Sequence, residues 1–415
     1  MFPHWFETPD HVPREMGVCK LKPHDVERNS YMGMEKKLVE VFHWLHRHPE
    51  LAMKEYKTTE YLRKILLDSG VRLLDTKLET GLIAVIGTGE APVIALRADI
   101  DALPIQEQTS LPYASETPGV MHACGHDFHA ACMLGAALLL KAREASLSGT
   151  VKVIFQPAEE VNVGAARLVD TGLLDDVQLF LTGHTYPWFT AGTMGIRPGP
   201  VMASADRFFI RIRGKGCHAA NPDMGIDPIP ALGAIISAFQ TVVSRRVNPY
   251  EGAVVSITRV EAGNTWNVIP EDAFLEGTVR AMTETVRDDI HQSLGQLAID
   301  TAKAYGCKAV FEYERGPAPV LNDAGVCDRA AVVARELGLN VETNPPSMIA
   351  EDFSRYLKLA PGALFRIGTG GGFDNHHPSF TADPSALLPT ARFFAILTER
   401  ELKRLSMLVC KHSDE

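Results

Sequence analysis

The run Pro92-Val-Ile-Ala-Leu-Arg-Ala-Asp99 is apolar almost throughout, and so is Thr150-Val-Lys-Val-Ile-Phe-Gln156 further along the chain. Between them lies a long apolar segment, from about His126 to Arg143, whose length suits a helix rather than a strand. Nearly continuous apolar runs are typical of strands buried on both faces. The order strand, helix, strand therefore predicts an α/β domain with a sheet covered by helices.

The residues before these strands predict two more helices and one more strand. The first helix should run over residues 34–48 because its apolar residues recur on one helical face and a proline follows. The second helix should end at Gly70, and Gly81-Leu-Ile-Ala-Val-Ile-Gly87 is strand-like. Residues 1–33 lack hydrophobic periodicity, which indicates an irregular N-terminal extension. The start codon is left open among Met1, Met32 and Met34.

The pattern changes near residue 203, where a second domain is expected. Arg207-Phe-Phe-Ile-Arg-Ile-Arg-Gly214 alternates between apolar and polar residues, as in a sheet with one face in water. A helix, two strands, a helix and a strand follow. These fall at about 227–246, 253–260, 273–281, 284–305 and 308–314. The βαββαβ order is ferredoxin-like. We therefore expect a small domain over 203–313, inserted into a larger domain formed by 34–202 and 314–415.

Composition and charge exclude several classes of protein. The 415 residues include 41 basic and 51 acidic ones, and a net charge of −10 argues against a nucleic-acid-binding surface. The longest apolar run, Ala130 to Leu140, is too short to cross a bilayer, which argues against a membrane protein. Seven scattered cysteines and an N-terminus without a secretory signal favour free thiols in the cytoplasm.

Two segments near the strands carry groups that could bind metal. Met121-His-Ala-Cys-Gly-His-Asp-Phe-His129 places Cys124 and His126 two residues apart at a helix start, and a thiolate with an imidazole suits zinc-like metals. The alternative is a buried cysteine beside a histidine that satisfies a local cap. Glu159 and Glu160 follow a buried strand, so one could bind metal while the other acts as a base. The alternative is an exposed pair that caps the next helix.

Two more histidines, His184 and His376, also follow strand-like runs, where open α/β sheets place their sites. Each of them alone is more often a structural histidine. Together the five donors are too many for one catalytic zinc and fit two ions that share one ligand. The donors are Cys124, His126, Glu160, His184 and His376. This predicts a two-metal site in which Cys124 is shared, and Glu159 is left free to accept a proton from a bridging water.

Eight motifs occur in order along the chain. They are Arg97-Ala-Asp-Ile-Asp-Ala-Leu-Pro104, Cys124-Gly-His-Asp-Phe-His129, Gln156-Pro-Ala-Glu-Glu160, Gly214-Lys-Gly-Cys-His-Ala-Ala220, Asn267-Val-Ile-Pro270, Gly277-Thr-Val-Arg280, Glu351-Asp-Phe-Ser354 and His376-His-Pro378. In these motifs the chain resembles the amidohydrolase branch of the di-metal aminoacylase/carboxypeptidase family, which includes hippurate hydrolases and auxin-conjugate amidohydrolases. The resemblance extends from about Glu35 to Arg400.

The resemblance implies a fold and a set of ligands. It implies a zinc-exopeptidase-like catalytic domain, interrupted by a lid domain that often makes a homodimer contact. By motif position, one zinc or manganese ion would be held by Cys124, Glu160 and His376. The other would be held by Cys124, His126 and His184. Glu159 falls on the general base, and His218 falls on a lid histidine that stabilises the oxyanion and comes from the partner subunit in some relatives.

The activity implied is hydrolysis of the amide bond of a small N-acyl amino acid, with Glu159 taking a proton from the attacking water and returning it to the leaving amine. Asn267 and Arg280, in the lid strands, are candidates to hold the substrate carboxylate. A dipeptidase or carboxypeptidase on the same scaffold is an alternative. A non-catalytic metal-binding protein is a weaker alternative, because such a protein would need neither Glu159 nor His218.

Overall fold

A computed structural model describes residues 23–343 and 345–412 of the chain. The helices of these residues are α1 (Pro23–Arg47), α2 (Tyr56–Asp68), α3 (His126–Lys141), α4 (Gly164–Val169), α5 (Pro228–Arg246), α6 (Glu284–Ala304), α7 (Ala324–Glu336) and α8 (Leu387–His412). The first eight strands are β1 (Arg72–Leu74), β2 (Leu82–Gly87), β3 (Val93–Asp99), β4 (Thr150–Gln156), β5 (Leu179–Tyr186), β6 (Thr193–Gly195), β7 (Gly199–Met202) and β8 (Asp206–Arg213). The others are β9 (Cys217–His218), β10 (Ala253–Ala262), β11 (Val268–Ile269), β12 (Asp272–Ala281), β13 (Lys308–Arg315), β14 (Val320–Asn322), β15 (Asn340–Glu342) and β16 (Gly362–Gly368).

The larger sheet has eight strands in the order β1-β2-β4-β3-β5-β16-β6-β15. Its four central strands, β4, β3, β5 and β16, are parallel to one another, whereas β1, β2 and β6 introduce antiparallel pairs. The chain moves from β3 to one side to form β4 and then crosses to the other side of β3 to form β5. The carboxyl ends of the four central strands therefore meet at one edge of the sheet, next to a topological switch point.

Helices cover both faces of this sheet, which confirms the prediction. On one face, Leu38 and Phe42 of α1 pack in the same core as α3 and α8. On the other face, Leu168 of α4 packs with Phe353 and Tyr356 of a short 3-10 helix. All seven residues of β3 are buried. Burial from both sides explains why the strand reads as one apolar run.

The smaller sheet is antiparallel, with strands in the order β10-β12-β8-β13. Helices α5 and α6 cover one face, where Phe208, Ile210 and Ile212 of β8 are fully buried. The other face carries the alternating arginines. The order of strands and helices along the chain is βαββαβ, as predicted. None of the helices in the described ranges combines the length and hydropathy needed to cross a bilayer.

The N-terminal prediction is wrong for residues 23–33, which are helical rather than irregular because α1 begins at Pro23. Proline is favourable at a first helical position, where its missing N–H has no partner to lose and its φ angle is already helical. The sequence reasoning placed the start at Met34 because the apolar stripe of the helix begins with this residue, which packs against the core. Residues 1–22 of the predicted extension lie outside the described residues.

Candidate metal centre

The predicted metal-binding residues converge at the carboxyl edge of the larger sheet. Glu159 and Glu160 follow β4, His184 lies near the end of β5, and His376 lies in the loop after β16. His126 is the first residue of α3, which begins beside the same edge. Because these strands are parallel neighbours, side chains distant in the sequence are brought together.

Two groups of three ligand atoms share the Cys124 thiol. One consists of Cys124, His126 and His184, and the other of Cys124, Glu160 and His376; within each group the atoms lie within 4.8 Å of one another. Cys124 Sγ lies 3.6 Å from His184 Nε2. Glu160 Oε1 lies 3.8 Å from His126 Nε2 and 3.3 Å from His376 Nε2. The structure thus brings all five predicted donors together in the predicted division.

The residues present fit a pair of divalent cations. His126 Nε2 and Glu160 Oε1 are buried and have no hydrogen-bond partner in the described part of the chain. Buried polar atoms are almost always paired, so these two atoms point to an absent partner. Burial raises the pKa of Cys124 to about 12, and a thiolate at this position therefore needs a nearby cation. Thiolate, imidazole and carboxylate form a donor set that suits zinc.

Hydrogen bonds orient two of the histidines. Asp101 O lies 2.9 Å from His126 Nδ1, and Thr185 O lies 2.9 Å from His184 Nδ1. A carbonyl oxygen only accepts, so each Nδ1 carries the proton and each Nε2 has a free lone pair aimed at the site. Fixing the tautomer in this way is how proteins commonly hold metal-binding histidines.

His129 comes close to the site but is not available as a ligand. Its Nε2 accepts the N–H of Thr185 at 2.8 Å, so its Nδ1 carries the proton and donates to Asp99 Oδ1 at 2.6 Å. Both nitrogens are therefore used. Burial raises the pKa of Asp99, but His126, Arg97 and His129 outweigh this effect and hold it well below its usual range.

A tight turn aims the two glutamates at the site. Ala158 adopts a left-handed conformation with φ of 53°. The N–H groups of Glu159 and Glu160 donate to the two oxygens of Asp101, each at 3.0 Å. Glu159 is only 9% exposed. The alternative interpretation of an exposed, helix-capping pair is therefore wrong. Sequence reasoning placed Asp101 in a motif but assigned it no role, although its position just after a buried strand was a usable signal.

Glu159 lies beside other acids, and its carboxylate also lies within 4.8 Å of a ring nitrogen of His126. Its Oε1 accepts a long hydrogen bond, 3.5 Å, from the N–H of Asp352. Burial, together with the carboxylates of Glu351 and Asp352, raises the pKa of Glu159 well above its usual range in the metal-free chain. A buried carboxylate with a raised pKa has the proton affinity expected of a general base.

A buried arginine, Arg97, binds several acidic residues beneath the site. Arg97 donates to Gln156 Oε1 at 2.9 Å, Asp99 Oδ2 at 2.7 Å, Glu351 Oε1 at 3.0 Å and Asp352 Oδ1 at 2.8 Å. Since removal of one partner from such a network leaves uncompensated buried charge, the network fixes the acidic loop beneath Glu159. Sequence reasoning placed Arg97 in a motif but assigned it no contact.

The loop that carries His376 is also held in place. His376 has a left-handed backbone, with φ of 67°, and its N–H donates to Ala123 O at 2.7 Å. The neighbouring Asn375 donates from Nδ2 to Cys124 O at 3.2 Å and to Thr185 Oγ1 at 3.1 Å. These bonds tie the His376 loop to the Cys124 loop, so the ligands of one group are positioned jointly.

A cavity of about 560 Å³ opens onto the metal centre. It is lined by Cys124, His184, His376 and Arg280, so the structure brings one predicted substrate residue to the site. Tyr186, Trp188, Met202, Met348 and Ile349 form much of its wall. This size and this mixed lining suit a small organic molecule.

His218 and Asn267 are not among the residues that line this cavity. They lie together where β9 pairs with β11, and the N–H of Ala219 donates to Asn267 O at 3.0 Å. His218 is exposed, and its Nδ1 accepts the N–H of Ala220 at 3.1 Å. Within one chain, the structure does not bring these two predicted residues to the metal centre.

Comparisons with known proteins agree with this site. Residues 95–400 match the family model described as "Peptidase family M20/M25/M40". N-acetyl-L-cysteine deacetylase of Bacillus subtilis is 43% identical over 87% of this chain and 87% of its own length. Thermostable carboxypeptidase 1 of Saccharolobus solfataricus is 35% identical over 89% of this chain and 96% of its own.

A solved structure agrees as well. A Bacillus subtilis protein described as a dinuclear metal-binding peptidase of the M20 family superimposes with a TM-score of 0.82 and 42% identity, covering 90% of this chain and 99% of that one. The residues matched by the family model include all eight motifs named above. The chain therefore belongs to peptidase family M20/M25/M40, in its amidohydrolase branch.

Proposed function

We propose that this protein is a metal-dependent amidohydrolase that cleaves the amide bond of N-acyl amino acids and releases a carboxylic acid and a free amino acid. The observation that carries the proposal is the pair of ligand groups that share Cys124 while the carboxylate of Glu159 stays outside both. A shared ligand holds two ions close together, and an unliganded carboxylate beside them is free to move protons. The similarity to N-acetyl-L-cysteine deacetylase supports the substrate class.

The residues of the chain have distinct roles in the proposed reaction. Two divalent ions, when bound, would acidify a water molecule and polarise the amide carbonyl. Glu159 accepts a proton from the attacking water at a carboxylate oxygen and then delivers it to the nitrogen of the leaving amine. Arg280 holds the carboxylate of the substrate. The hydrogen-bond network of Arg97 with Glu351 and Asp352 keeps Glu159 in position during both proton transfers.

Residues 203–313 are proposed to act as a lid and dimerisation domain, with residues 34–202 and 314–415 as the catalytic domain. The exposed position of His218 outside the cavity supports the idea that it serves the site of a partner subunit, with Asn267 beside it. Strand β10 lies at an edge of the smaller sheet, and an unpaired edge is a ready site for association. Trp266, next to Asn267, is 92% exposed. These features support a homodimer formed through the lid.

Zinc is the first choice of metal because a thiolate ligand favours it, with manganese as the alternative. Five cysteines in the described part of the chain are free thiols, which supports the proposed cytoplasmic location.

The first experiment is to measure metal content together with hydrolysis. Protein reconstituted with excess zinc or manganese should contain two ions per chain by elemental analysis and should hydrolyse N-acetyl and N-benzoyl amino acids. Cys124→Ala should weaken the binding of both ions because both lose a ligand, whereas His126→Ala should mainly weaken one. A content that stays at one ion or below would contradict the shared-thiolate arrangement.

A carboxypeptidase is the second candidate, supported by the similarity to thermostable carboxypeptidase 1. It would use the same ions and the same base, and would differ in what the cavity wall accepts. Comparison of N-acetyl amino acids with dipeptides of the same C-terminal residue separates the two. A kcat/KM that is higher for the peptides would favour the carboxypeptidase.

A further inference from the structure

Arg366 is a buried cation beside the proposed metal centre. It lies on β16, in register with His184 on the parallel neighbour β5, so both side chains extend from the same face of the sheet. Its side chain lines the same cavity as Cys124 and His184. Only 6% of the residue is exposed.

No hydrogen bond or ion pair joins the guanidinium of Arg366 to any residue within 23–343 or 345–412. Its guanidinium lies 5.8 Å from the centre of the Tyr186 ring. The acidic groups that influence it are, in decreasing order, Glu351, which is paired with Arg97 at 3.0 Å, Cys124, Tyr186 and the exposed Asp374. Burial lowers the pKa of Arg366, although these acids partly offset the effect.

An unpaired buried charge is expensive, so Arg366 does not serve the stability of the free protein. Arginine forms bidentate bonds with carboxylates, and such a guanidinium is a binding site for one. The guanidinium of Arg280, also on the cavity wall, has no hydrogen bond or ion pair in the described ranges either. Asp374 is the only acid among the lining residues. The cavity thus offers two unpaired guanidinium groups to its occupant.

We infer that the substrate is a dianionic N-acyl amino acid, with its α-carboxylate held by Arg280 and a second carboxylate held by Arg366. The inference rests on the proposed function and narrows it to acidic amides. The second carboxylate has two possible sources, which are the side chain of the amino acid and the far end of the acyl group. Both present the same group to Arg366.

Two matched pairs of substrates test the inference and separate the sources. N-acetylglutamate and N-acetylglutamine differ only in the charge of the side chain. N-succinylalanine and N-butyrylalanine differ in the charge of the acyl group. We expect the protein with two bound ions to prefer the charged member of at least one pair by about 10- to 100-fold in kcat/KM, the range expected of a charge-assisted hydrogen bond.

Variants then assign the preference to Arg366. In Arg366→Met the ratio of kcat/KM within the preferred pair should fall to near one, whereas Arg366→Lys should keep part of it. Arg335→Met removes an arginine from an exposed position outside the cavity and should leave the ratio unchanged. The midpoint of thermal unfolding of Arg366→Met should not fall below that of the parent, because no protein partner is lost.

Equal kcat/KM within both pairs, or a preference that survives in Arg366→Met, would overturn the inference while leaving amide hydrolysis intact. Hydrolysis of none of the four amides would instead count against the proposed function.

Calorimetric titration with succinate and butyrate tests the inference by binding alone, without substrate turnover. We expect succinate to bind at least about tenfold more tightly than butyrate, and to lose that advantage in Arg366→Met. Equal binding of the two acids would refute the role of Arg366.

Discussion

Glu159 and Glu160 are adjacent in the sequence, and we propose different roles for them. The carboxylate of Glu160 belongs to the ligand group formed with Cys124 and His376, whereas Glu159 faces Glu351 and Asp352. We expect Glu159→Gln to lower kcat by at least about 100-fold and to leave two ions bound, because glutamine has the same size but cannot accept a proton. Steady-state kinetics and elemental analysis of the same preparation check both parts.

Glu160→Gln is the matched control because it makes the same chemical change one residue away. It should lower the affinity for metal, and activity should return in part when excess metal is added. If Glu159→Gln loses metal instead, Glu159 is itself a ligand and the division of roles between the two residues is reversed.

Most candidate ligands could be predicted from the sequence because each one stands directly after a strand or at a helix start. The residues that could not be predicted act through contacts that no local pattern records. Asp101 accepts two N–H groups of the glutamate turn, and this depends on the left-handed backbone at Ala158. Arg366 was not predicted as a binding residue because the argument depends on its guanidinium having no hydrogen-bond or ion-pair partner in the described ranges. Only the three-dimensional structure shows this.

Helices α1 and α3 are joined by a buried ion pair. His46 Nδ1, near the end of α1, lies 2.6 Å from Asp127 Oδ2, near the start of α3. Burial lowers the pKa of His46, but Asp127 and then Glu107 outweigh this effect and raise it to about 9. The folded-state pKa is above the unfolded value of about 6.5, so the pair contributes fully below pH 6.5. Its contribution is lost as the pH rises towards 9.

We expect His46→Gln to lower the free energy of unfolding by about 3 kcal/mol at pH 6, the equivalent of the shift in pKa. The difference between parent and variant should shrink steadily between pH 6.5 and pH 9, because the parent loses its proton there and the variant has none to lose. Urea unfolding of metal-loaded protein at several pH values measures this difference. A difference that is constant across this range would mean that packing of His46, rather than its charge, joins the two helices.

At the scale of elements, hydrophobic patterns predicted the fold well because burial is what they record. Strands buried on both faces, such as β3, appear in the sequence as continuous apolar runs. Strands with one face exposed to solvent, such as β8, appear as alternating apolar and polar residues. The first turns of α1 were missed because residues 23–33 carry no apolar stripe in the sequence. The pairing of β9 with β11 was missed because each strand has only two residues and the two lie far apart in the sequence.

At the scale of the whole molecule, we propose that the lid of one chain completes the site of another, because His218 lies outside the cavity of its own chain. Mixing two inactive variants tests this. His218→Ala keeps the base, and Glu159→Gln keeps the lid histidine. If each lid serves the partner, a mixed dimer has one site with both residues and one with neither.

Random exchange between equal amounts of two chains gives mixed dimers as half of the population, so about one quarter of all sites should regain activity. Each variant alone should stay well below that level with both ions bound, because loss of an oxyanion donor or of the base slows the chemical step. Subunit exchange must be verified by pulling down one tagged variant and detecting the other. Verified mixed dimers without recovered activity would show that His218 acts within its own chain or has no part in the reaction, and the lid would then have to close onto its own cavity.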